Sequence, residues 1–510
     1  MEWKGYHSMQ SSNTISSEKY DVIVIGSGMG GLTAAALLAK EGRKVLVLEQ
    51  KNQIGGYCRT FRSGPYSYDR ALHLIMGCAR SSPLEMGVID NLLLHLGVRD
   101  KCEFIRVDPL FSVHFPDYRL QVPGHQEPYL QTLMQQFPSE VKGLMQLADL
   151  CTRIYKEIME FPVLPGIMDW ILTIKRQPKL FRHANSTLSK VLDAHLSDPR
   201  LKAICASLWP YLGAPPSRVS FLIWAAMMAI YLEGGAFYCR GGFQNLADAV
   251  ASSLLDNGGE LSLNSRVKSV QVMKRKVHGV ELEDGRCVRS PIVISNIDAK
   301  QTLAEFVPKS ERPQRYLRKM DRMTTTPYIA KMYLGTDLDI SSMGITHENA
   351  GYTSWNLEES SLNRMSDRIS GVFVTIPTLT DRSLAPPGKH VVILSGIVGS
   401  EANPDTDCNP NNSIFKMLLE GGEAILPGLH DHIADLGDCA ILGPVYGWEA
   451  TPKQSGAFRL GHVTPISGLF LCGQWTQPGH GIWTVVLSGI RTAGIIQNKN
   501  TSKGMSVLDL

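Results

Sequence analysis

Four residues near the beginning of the chain have the types and spacing that bind a dinucleotide. Gly26, Gly28 and Gly31 form the pattern G-x-G-x-x-G, and Glu49 follows 18 residues after the last of them. The first glycine allows a tight turn, the second lets the backbone approach a pyrophosphate, and the third lets a helix lie close to a sheet. The Glu49 carboxylate can accept hydrogen bonds from ribose hydroxyls and repels a 2′-phosphate. These residues predict a site for NAD or FAD rather than NADP.

The segments around these glycines have the patterns of a parallel α/β unit. Residues 21–25 and 44–48 are short apolar runs, as buried parallel strands require. Residues 32–40 are typical of a helix, which Gly42 is placed to end. Strand, glycines, helix, strand and acid within about 30 residues are stronger evidence than the glycines alone. The alternative is a glycine-rich turn that binds nothing.

Composition excludes several classes of protein. The chain has 510 residues, of which 44% are hydrophobic and 19% charged, so it is not a disordered chain. A net charge of +3 gives no electrostatic argument for a nucleic-acid partner. No apolar run reaches the length of a membrane-spanning helix, and residues 219–232 are interpreted as a buried helix or as one that contacts lipid or substrate. Ten cysteines without a C-x-x-C pair, and no pattern of a signal peptide, predict a cytoplasmic protein.

A second pair of glycines distinguishes between the two dinucleotides. Gly55 and Gly56 follow the ribose acid closely, and Arg59 comes three residues later. With this extension the sequence resembles the FAD-dependent amine oxidase and phytoene desaturase superfamily. Residues 234–267 and 468–497 extend the resemblance over nearly the whole chain after residue 19. The resemblance implies that FAD extends from the first βα unit to the beginning of the last helix. It places the FAD contacts at Gly26, Gly28, Met29, Gly30, Gly31, Glu49, Gln50, Gly55, Gly56, Arg59, Val267, Gly473, Gln474, Gly481 and Ile482.

Within that superfamily the chain is most similar to the carotenoid desaturase, carotenoid isomerase and retinol saturase branch. Residues 66–69, 446–452 and 477–481 carry this resemblance. It implies hydride transfer between flavin N5 and a hydrophobic polyene, in a desaturation, an isomerisation or a saturation. The flavin would carry the chemistry while the protein orients the substrate and excludes water. Candidate acids and bases near the flavin are Arg70, His73, Glu449 and His480. Each of them also has a structural interpretation, as a satisfied core histidine, a strand-end acceptor or a surface arginine.

The resemblance implies an α/β fold, with a Rossmann-like FAD-binding domain of the GR2 type interleaved with an α+β substrate-binding domain. The FAD-binding domain is expected at 20–115, 233–300 and 440–498, the substrate domain at 116–232 and 301–439, and tails at 1–19 and 499–510. Apolar stretches at 159–172, 209–212 and 219–232 are candidates for the wall of a substrate tunnel, although such patterns more often form plain hydrophobic core. Strands of the second domain are expected at 371–376 and 390–396. One face of that domain is a candidate for peripheral membrane contact.

The remaining expectations concern partners and competing functions. No second G-x-G-x-x-G is present, so oxygen or a quinone is expected to exchange electrons with the flavin, unless an isomerase cycles them internally. His347, His430 and His432 lack metal-ligand spacing and are expected at the surface, and no metal site is predicted. Oxidation of an amine or a secondary metabolite on the same scaffold stays open. A prenyl-protein escort of the GDI type shares the fold, but the intact glycine motifs argue against it.

Overall fold

The computed structural model describes residues 15–78, 87–160, 176–358, 369, 371–399 and 412–497. The strands are β1 Val22–Ile25, β2 Val45–Leu48, β3 Thr60–Ser63, β4 Tyr66–Asp69, β5 Phe104–Val107, β6 Phe111–Phe115, β7 Tyr118–Val122, β8 Ala236–Cys239, β9 Glu260–Ser262, β10 Val267–Met273, β11 Lys276–Leu282, β12 Cys287–Arg289, β13 Val293–Ser295, β14 Tyr328–Thr336, β15 Glu348–Tyr352, β16 Gly371–Thr375, β17 His390–Val398, β18 Ile433–Leu442 and β19 Leu469–Leu471. The described helices of six or more residues are α1 Met29–Lys40, α2 Val88–Leu96, α3 Gln126–Gln136, α4 Val141–Met159, α5 Pro178–His183, α6 Leu188–His195, α7 Pro199–Ala206, α8 Phe221–Ala229, α9 Gln244–Asp256, α10 Gln314–Met320, α11 Ser413–Ile425 and α12 Ile482–Ile496.

A five-stranded parallel sheet has the strand order β19-β13-β1-β2-β9. Every residue of β1 and β2 is buried, which explains why both strands are continuous apolar runs. Because parallel strands all end at the same edge of the sheet, the residues that follow β1, β2, β13 and β19 meet there. This edge is where an open α/β sheet binds its ligand.

Helix α1 begins at Met29, three residues before the helix predicted at 32–40. Its first turn includes Gly31, where an added Cβ atom would lie 2.5 Å from the carbonyl oxygen of Gly26. The third glycine of the motif therefore lets the helix start directly against the end of β1, as the pattern predicts.

A seven-stranded mixed sheet has the order β18-β14-β17-β16-β15-β6-β7. Strands β15 and β6 are parallel, and the other neighbours are antiparallel. Strands β16 and β17 confirm the predictions at 371–376 and 390–396. Strand β6 belongs to this sheet although it comes early in the chain. The fold is therefore α/β, with a Rossmann-like unit interleaved along the chain with a second, mixed region, while the domain boundaries stay a prediction.

The apolar run at 219–232 forms α8 and continues into a wider helical turn, Ile230–Gly234. Helix α8 packs against α4 and, through fewer contacts, against α5. The apolar stretch predicted at 159–172 lies almost entirely outside the described residues. No helix within the described ranges is both long enough and apolar enough to cross a membrane.

Candidate functional site

A cavity of about 1080 Å³ runs along the carboxyl edge of the parallel sheet and continues among the apolar helices. The first glycine loop and the beginning of α12 both line it. The lining includes all the residues assigned to the cofactor from sequence except Gly31, whose place is the contact between α1 and β1 described above. One continuous cavity thus connects the first glycine loop with the beginning of α12, the two segments where the sequence predicts the ends of the dinucleotide.

The two glycine pairs form one backbone surface. Gly28 and Gly55 make an isolated β-bridge, and the Gly55 N–H donates to the carbonyl of Ser27 at 3.0 Å. Gly55 and Gly56 both have left-handed backbone conformations, with φ of 102° and 58°. A Cβ atom on Gly56 would lie 3.2 Å from the Gly28 Cα atom, so side chains at these positions would crowd the loop. Gly55 and Gly56 therefore pack directly against the first glycine loop and hold its backbone in place.

Glu49 directly follows β2 and lines the cavity, and it is 8% exposed. Its Oε2 accepts hydrogen bonds from the N–H and hydroxyl of Ser27, at 2.9 and 2.6 Å, and its Oε1 accepts from the Lys51 N–H at 2.9 Å. A carboxylate offers about four acceptor positions. Glu49 therefore holds the glycine loop in place and keeps capacity for a ribose hydroxyl.

Asn296, which the sequence analysis missed, follows β13 and lies at the centre of this edge. Added Cβ atoms on Gly28 and Gly30 would lie 2.7 and 2.8 Å from the atoms of its amide group. The corresponding atom on Gly473 would be 2.4 Å from Asn296 Oδ1. Asn296 thus fills the space between the first and last glycine loops. The signal in the sequence that could have identified Asn296 is its position as a polar residue directly after a short buried strand.

The far end of the edge is formed by the loop after β19 and the beginning of α12. The Gly473 N–H donates to the Ser488 hydroxyl at 2.8 Å, which fixes the loop to the helix. Gly481, with φ of 93°, is the residue before Ile482 at the helix start, and both line the cavity. The first N–H groups of a helix have no acceptor within the helix, and the positive end of its dipole lies there, so this end favours an electron-rich group.

Arg459 is a buried cation at the cavity wall that sequence reasoning also missed. It is 2% exposed, and its guanidinium donates to the carbonyls of Gln474 (3.0 Å), Trp448 (3.1 Å) and Tyr446 (2.9 Å). No carboxylate in the described part of the chain pairs with it. Burial lowers its pKa to about 9, so it stays charged at neutral pH. Its positive charge favours an anion in the cavity.

The four candidate acids and bases divide into two pairs. His73 and His480 line the cavity, whereas Arg70 and Glu449 are absent from its wall. Arg70 pairs with Asp438 and lies over the rings of Phe61 and Tyr333. The buried Glu449 pairs with Arg218 at 3.3 Å. Arg70 and Glu449 therefore stabilise the walls around the site.

His480 is held as a neutral ring. Its Nε2–H donates to the carbonyl of Tyr211 at 3.0 Å, and its ring centroid lies 4.5 Å from that of Tyr446. Burial lowers its pKa to about 3, so it does not gain a proton near neutral pH. This geometry suits an orienting role better than proton transfer.

His73 belongs to a buried polar cluster whose other members are Lys331, Glu348 and Thr375. Its Nε2 lies 2.5 Å from Lys331 Nζ, and its Nδ1 lies 3.4 Å from Glu348 Oε2. The Thr375 hydroxyl donates to the same Glu348 oxygen at 2.9 Å. Strands β14, β15 and β16 supply these partners, so the seven-stranded sheet positions the cluster against the cavity. A single lysine within the apolar strand 328–336 was the signal that sequence reasoning left unused.

Burial sets the charges of this cluster. It lowers the pKa of Lys331 to about 7, against the attraction of Glu348, and it also lowers the pKa of His73. Burial alone would raise the pKa of Glu348, but the neighbouring His73 holds it below its ordinary value. The cluster thus contains two adjacent nitrogen bases, of which Lys331 titrates near neutral pH and His73 is held toward its neutral form, beside a carboxylate whose pKa is lowered.

The prediction that His347 lies at the surface is wrong, because it is 3% exposed. Its Nε2–H donates to the carbonyl of His73 at 3.1 Å, so it fixes the backbone of the candidate base. His430 and His432 are exposed, as predicted. Among the described residues no group of three or more histidines, cysteines and acids could hold a metal ion.

The inner arm of the cavity is apolar and lies between three helices. Its lining includes Tyr155 and Ile158 of α4, Leu180 and Phe181 of α5, and Leu222, Ile223, Ala226 and Met227 of α8. The apolar run at 219–232 is therefore both core and cavity wall. This arm meets the polar edge of the sheet near His73 and the tyrosines at 211, 231 and 446.

A parallel sheet with a glycine loop, a ribose acid and a helix start along one elongated cavity defines a dinucleotide-binding protein. The family model described as "Flavin containing amine oxidoreductase" matches residues 29–497, and the chain belongs to that family. It is therefore an FAD-dependent oxidoreductase. The residues along the edge fit FAD, because they combine a side-chain-free backbone cradle, a carboxylate and a buried cation.

Similar proteins agree with this assignment. The chain is 25% identical to a prolycopene isomerase of Daucus carota over 517 residues, which covers 95% of this chain and 82% of that protein. It is 25% identical to an all-trans-retinol 13,14-reductase of Danio rerio over 512 residues, which covers 90% and 82%. The fold is similar to that of an oxidoreductase from Methanosarcina mazei, with a TM-score of 0.65 and 20% identity over 94% of this chain and 100% of that one.

Proposed function

We propose that the protein moves hydride between FAD and a hydrophobic polyene of the carotenoid or retinoid type. The flavin supplies hydride acceptance and donation at N5. The residues along the edge of the parallel sheet hold the cofactor, with Glu49 and Val267 toward the adenosine and Gly473 to Ile482 toward the flavin. An apolar small molecule is the substrate, and oxygen or a quinone is the electron partner unless the reaction is an isomerisation.

The apolar arm of the cavity carries this proposal. Ligand sites for apolar molecules are largely lined by hydrophobic and aromatic side chains, with a few polar groups that fix orientation. Here the side chains of α4, α5 and α8 form the arm, and His73 and three tyrosines lie where it meets the edge of the sheet. The names of the prolycopene isomerase and the retinol reductase support the same substrate class.

His73 is the proposed acid or base of this site. It lines the cavity and is in contact with Lys331 and Glu348, so a proton taken at His73 can be shared with Lys331. A positioned acid or base contributes roughly 100-fold to 10,000-fold in rate. His480 orients the segment at Tyr211, to whose carbonyl it donates. Arg70 and Glu449 act indirectly, through their ion pairs with Asp438 and Arg218.

The test is an anaerobic reaction of the FAD-loaded protein with a panel of cis and trans polyenes. Bleaching of the flavin with formation of a more unsaturated product indicates desaturation. A change of product geometry without net bleaching indicates isomerisation, and reoxidation of chemically reduced protein by the polyene indicates saturation. Bleaching by diamines with no response to any polyene would replace the proposal by an amine oxidase.

Two histidine variants test the proposed base. We expect His73→Gln to lower the rate by about 100-fold with unchanged FAD content. His430→Gln is the matched control, because the His430 side chain is 68% exposed and does not line the cavity. Equal rates in the two variants would remove His73 from the chemistry without touching the substrate assignment.

A further inference from the structure

A dense group of cations lies on one part of the surface, which we call the basic patch: residues 274–276 and 309–322. It contains nine lysines and arginines and two acids, a net charge of +7. The whole chain has a net charge of +3, so the remaining residues together carry −4. The excess of positive over negative charge in this protein is therefore concentrated in these 17 residues.

Hydrogen bonds join the two segments of the basic patch into one surface. Glu311 accepts from the N–H groups of Lys274 and Arg275, both at 2.9 Å, and so ties the β10–β11 turn to the segment before α10. The other acid, Asp321, pairs with Lys300 outside the patch at 2.9 Å. Both carboxylates are thus engaged.

All the cations of the patch except Arg312 are exposed. Arg315, Arg318 and Lys319 of α10 are exposed, and in the described chain no carboxylate lies within ion-pair distance of them. Lys274 and Arg275 occupy both central positions of the turn with φ of 51° and 58°, where glycine or asparagine is favoured. The sequence therefore keeps two long cations in a conformation that disfavours them.

An exposed apolar residue accompanies these charges. Met273 precedes the turn and is 58% exposed. Tyr316, in contrast, packs inward against a buried apolar cluster that includes Val270 of β10 and Val277 of β11. It therefore offers no face for stacking on bases, which single-stranded nucleic-acid binding uses. A projecting turn with cations and one exposed apolar side chain is suited to the interface of a membrane.

We propose that the basic patch is a docking surface for an anionic lipid bilayer. The cations contact lipid headgroups, and Met273 enters the headgroup region. This surface lies against the three-stranded sheet β10-β11-β12 and is separate from the apolar helices around the cavity. Docking there would hold the protein beside the phase in which apolar molecules concentrate, whatever reaction it performs.

The experiment is sedimentation of the FAD-loaded protein with vesicles of phosphatidylcholine alone or with three parts in ten of phosphatidylserine. We expect binding only to the anionic vesicles, and loss of binding at high salt. Each cation near such a surface is worth about 1 kcal/mol, or about fivefold in affinity. Lys274→Gly with Arg275→Gly should therefore weaken binding by about 25-fold, and glycine suits both φ values, so the turn is retained.

A triple reversal on α10 and a matched control complete the design. Arg315→Glu, Arg318→Glu and Lys319→Glu together should weaken binding by at least about 100-fold. Arg119→Glu, Lys190→Glu and Lys416→Glu change the net charge equally at exposed positions elsewhere and should leave binding nearly unchanged. Equal loss in both triple variants, equal binding to neutral vesicles, or no vesicle binding by the unaltered protein would overturn the proposal. Flavin content, measured in parallel, keeps this result separate from that of the polyene assay.

Discussion

Replacing Gly28 by alanine adds a single carbon atom to the proposed FAD site and so tests how closely the backbone approaches the cofactor. Gly28 has φ −64° and ψ 161°, a conformation that any residue adopts, so alanine causes no backbone strain there. The new Cβ atom would lie 2.7 Å from Asn296 Nδ2, in the loop where we propose that the pyrophosphate binds. Overfilling a packed site costs about 1–3 kcal/mol. Since 1.4 kcal/mol is a factor of ten, we expect FAD to bind about 5-fold to 150-fold more weakly.

The assay is titration of the apoprotein with FAD, followed by quenching of flavin fluorescence, together with thermal unfolding of the apoprotein. Gly461→Ala is the control, because nothing lies within 4 Å of an added Cβ atom there. The double variant with Asn296→Ala separates two causes: if FAD still binds weakly relative to Asn296→Ala alone, the Cβ atom obstructs the ligand and not only the asparagine. An unchanged dissociation constant in Gly28→Ala would refute the placement of the pyrophosphate.

The remaining predictions concern two buried cations. Between about pH 7 and pH 10 the unfolded chain keeps a proton on Lys331 that the folded protein lacks, so stability should rise with pH there by up to about 1.4 kcal/mol per unit. Lys331→Met should lose this component in urea unfolding at pH 7, 8 and 9, and parallel curves for the two proteins would contradict the lowered pKa. Arg459→Met leaves three carbonyls without their donor, and at about 1–3 kcal/mol per buried unpaired group it should lower the unfolding free energy by about 3 kcal/mol or more. A loss below about 1 kcal/mol would show that water replaces the guanidinium.

The parallel βα unit could be predicted from sequence because its determinants are local. The strand, glycines, helix and acid lie within one short stretch, and each has a steric or hydrogen-bonding reason for its type. The helix predicted at 32–40 begins three residues earlier in the structure, because Met29, Gly30 and Gly31 of the glycine motif already belong to α1.

The polar cluster could not be predicted in the same way, because no local pattern connects its members. Lys331 and His73 are 258 residues apart, and only the pairing of β14, β17, β16 and β15 brings Lys331 and Glu348 to one place. The wrong prediction for His347 has the same origin, since its burial depends on sheet packing rather than on its neighbours in sequence.

The composition of this cluster supports the proposed role of His73 as an acid or base. A buried lysine kept only for structure is expected to meet a carboxylate directly, because an uncompensated charge in the interior is costly. Here Lys331 meets a histidine at 2.5 Å, and burial brings its pKa down to about 7. Glu348 Oε1 has no hydrogen-bond donor in the described chain. Burial raises the pKa of Tyr211 on the cavity wall, and the charge of Glu348 raises it further. Such departures from the rules of stable burial are concentrated at functional sites, and this one adjoins the junction of the polar and apolar parts of the cavity.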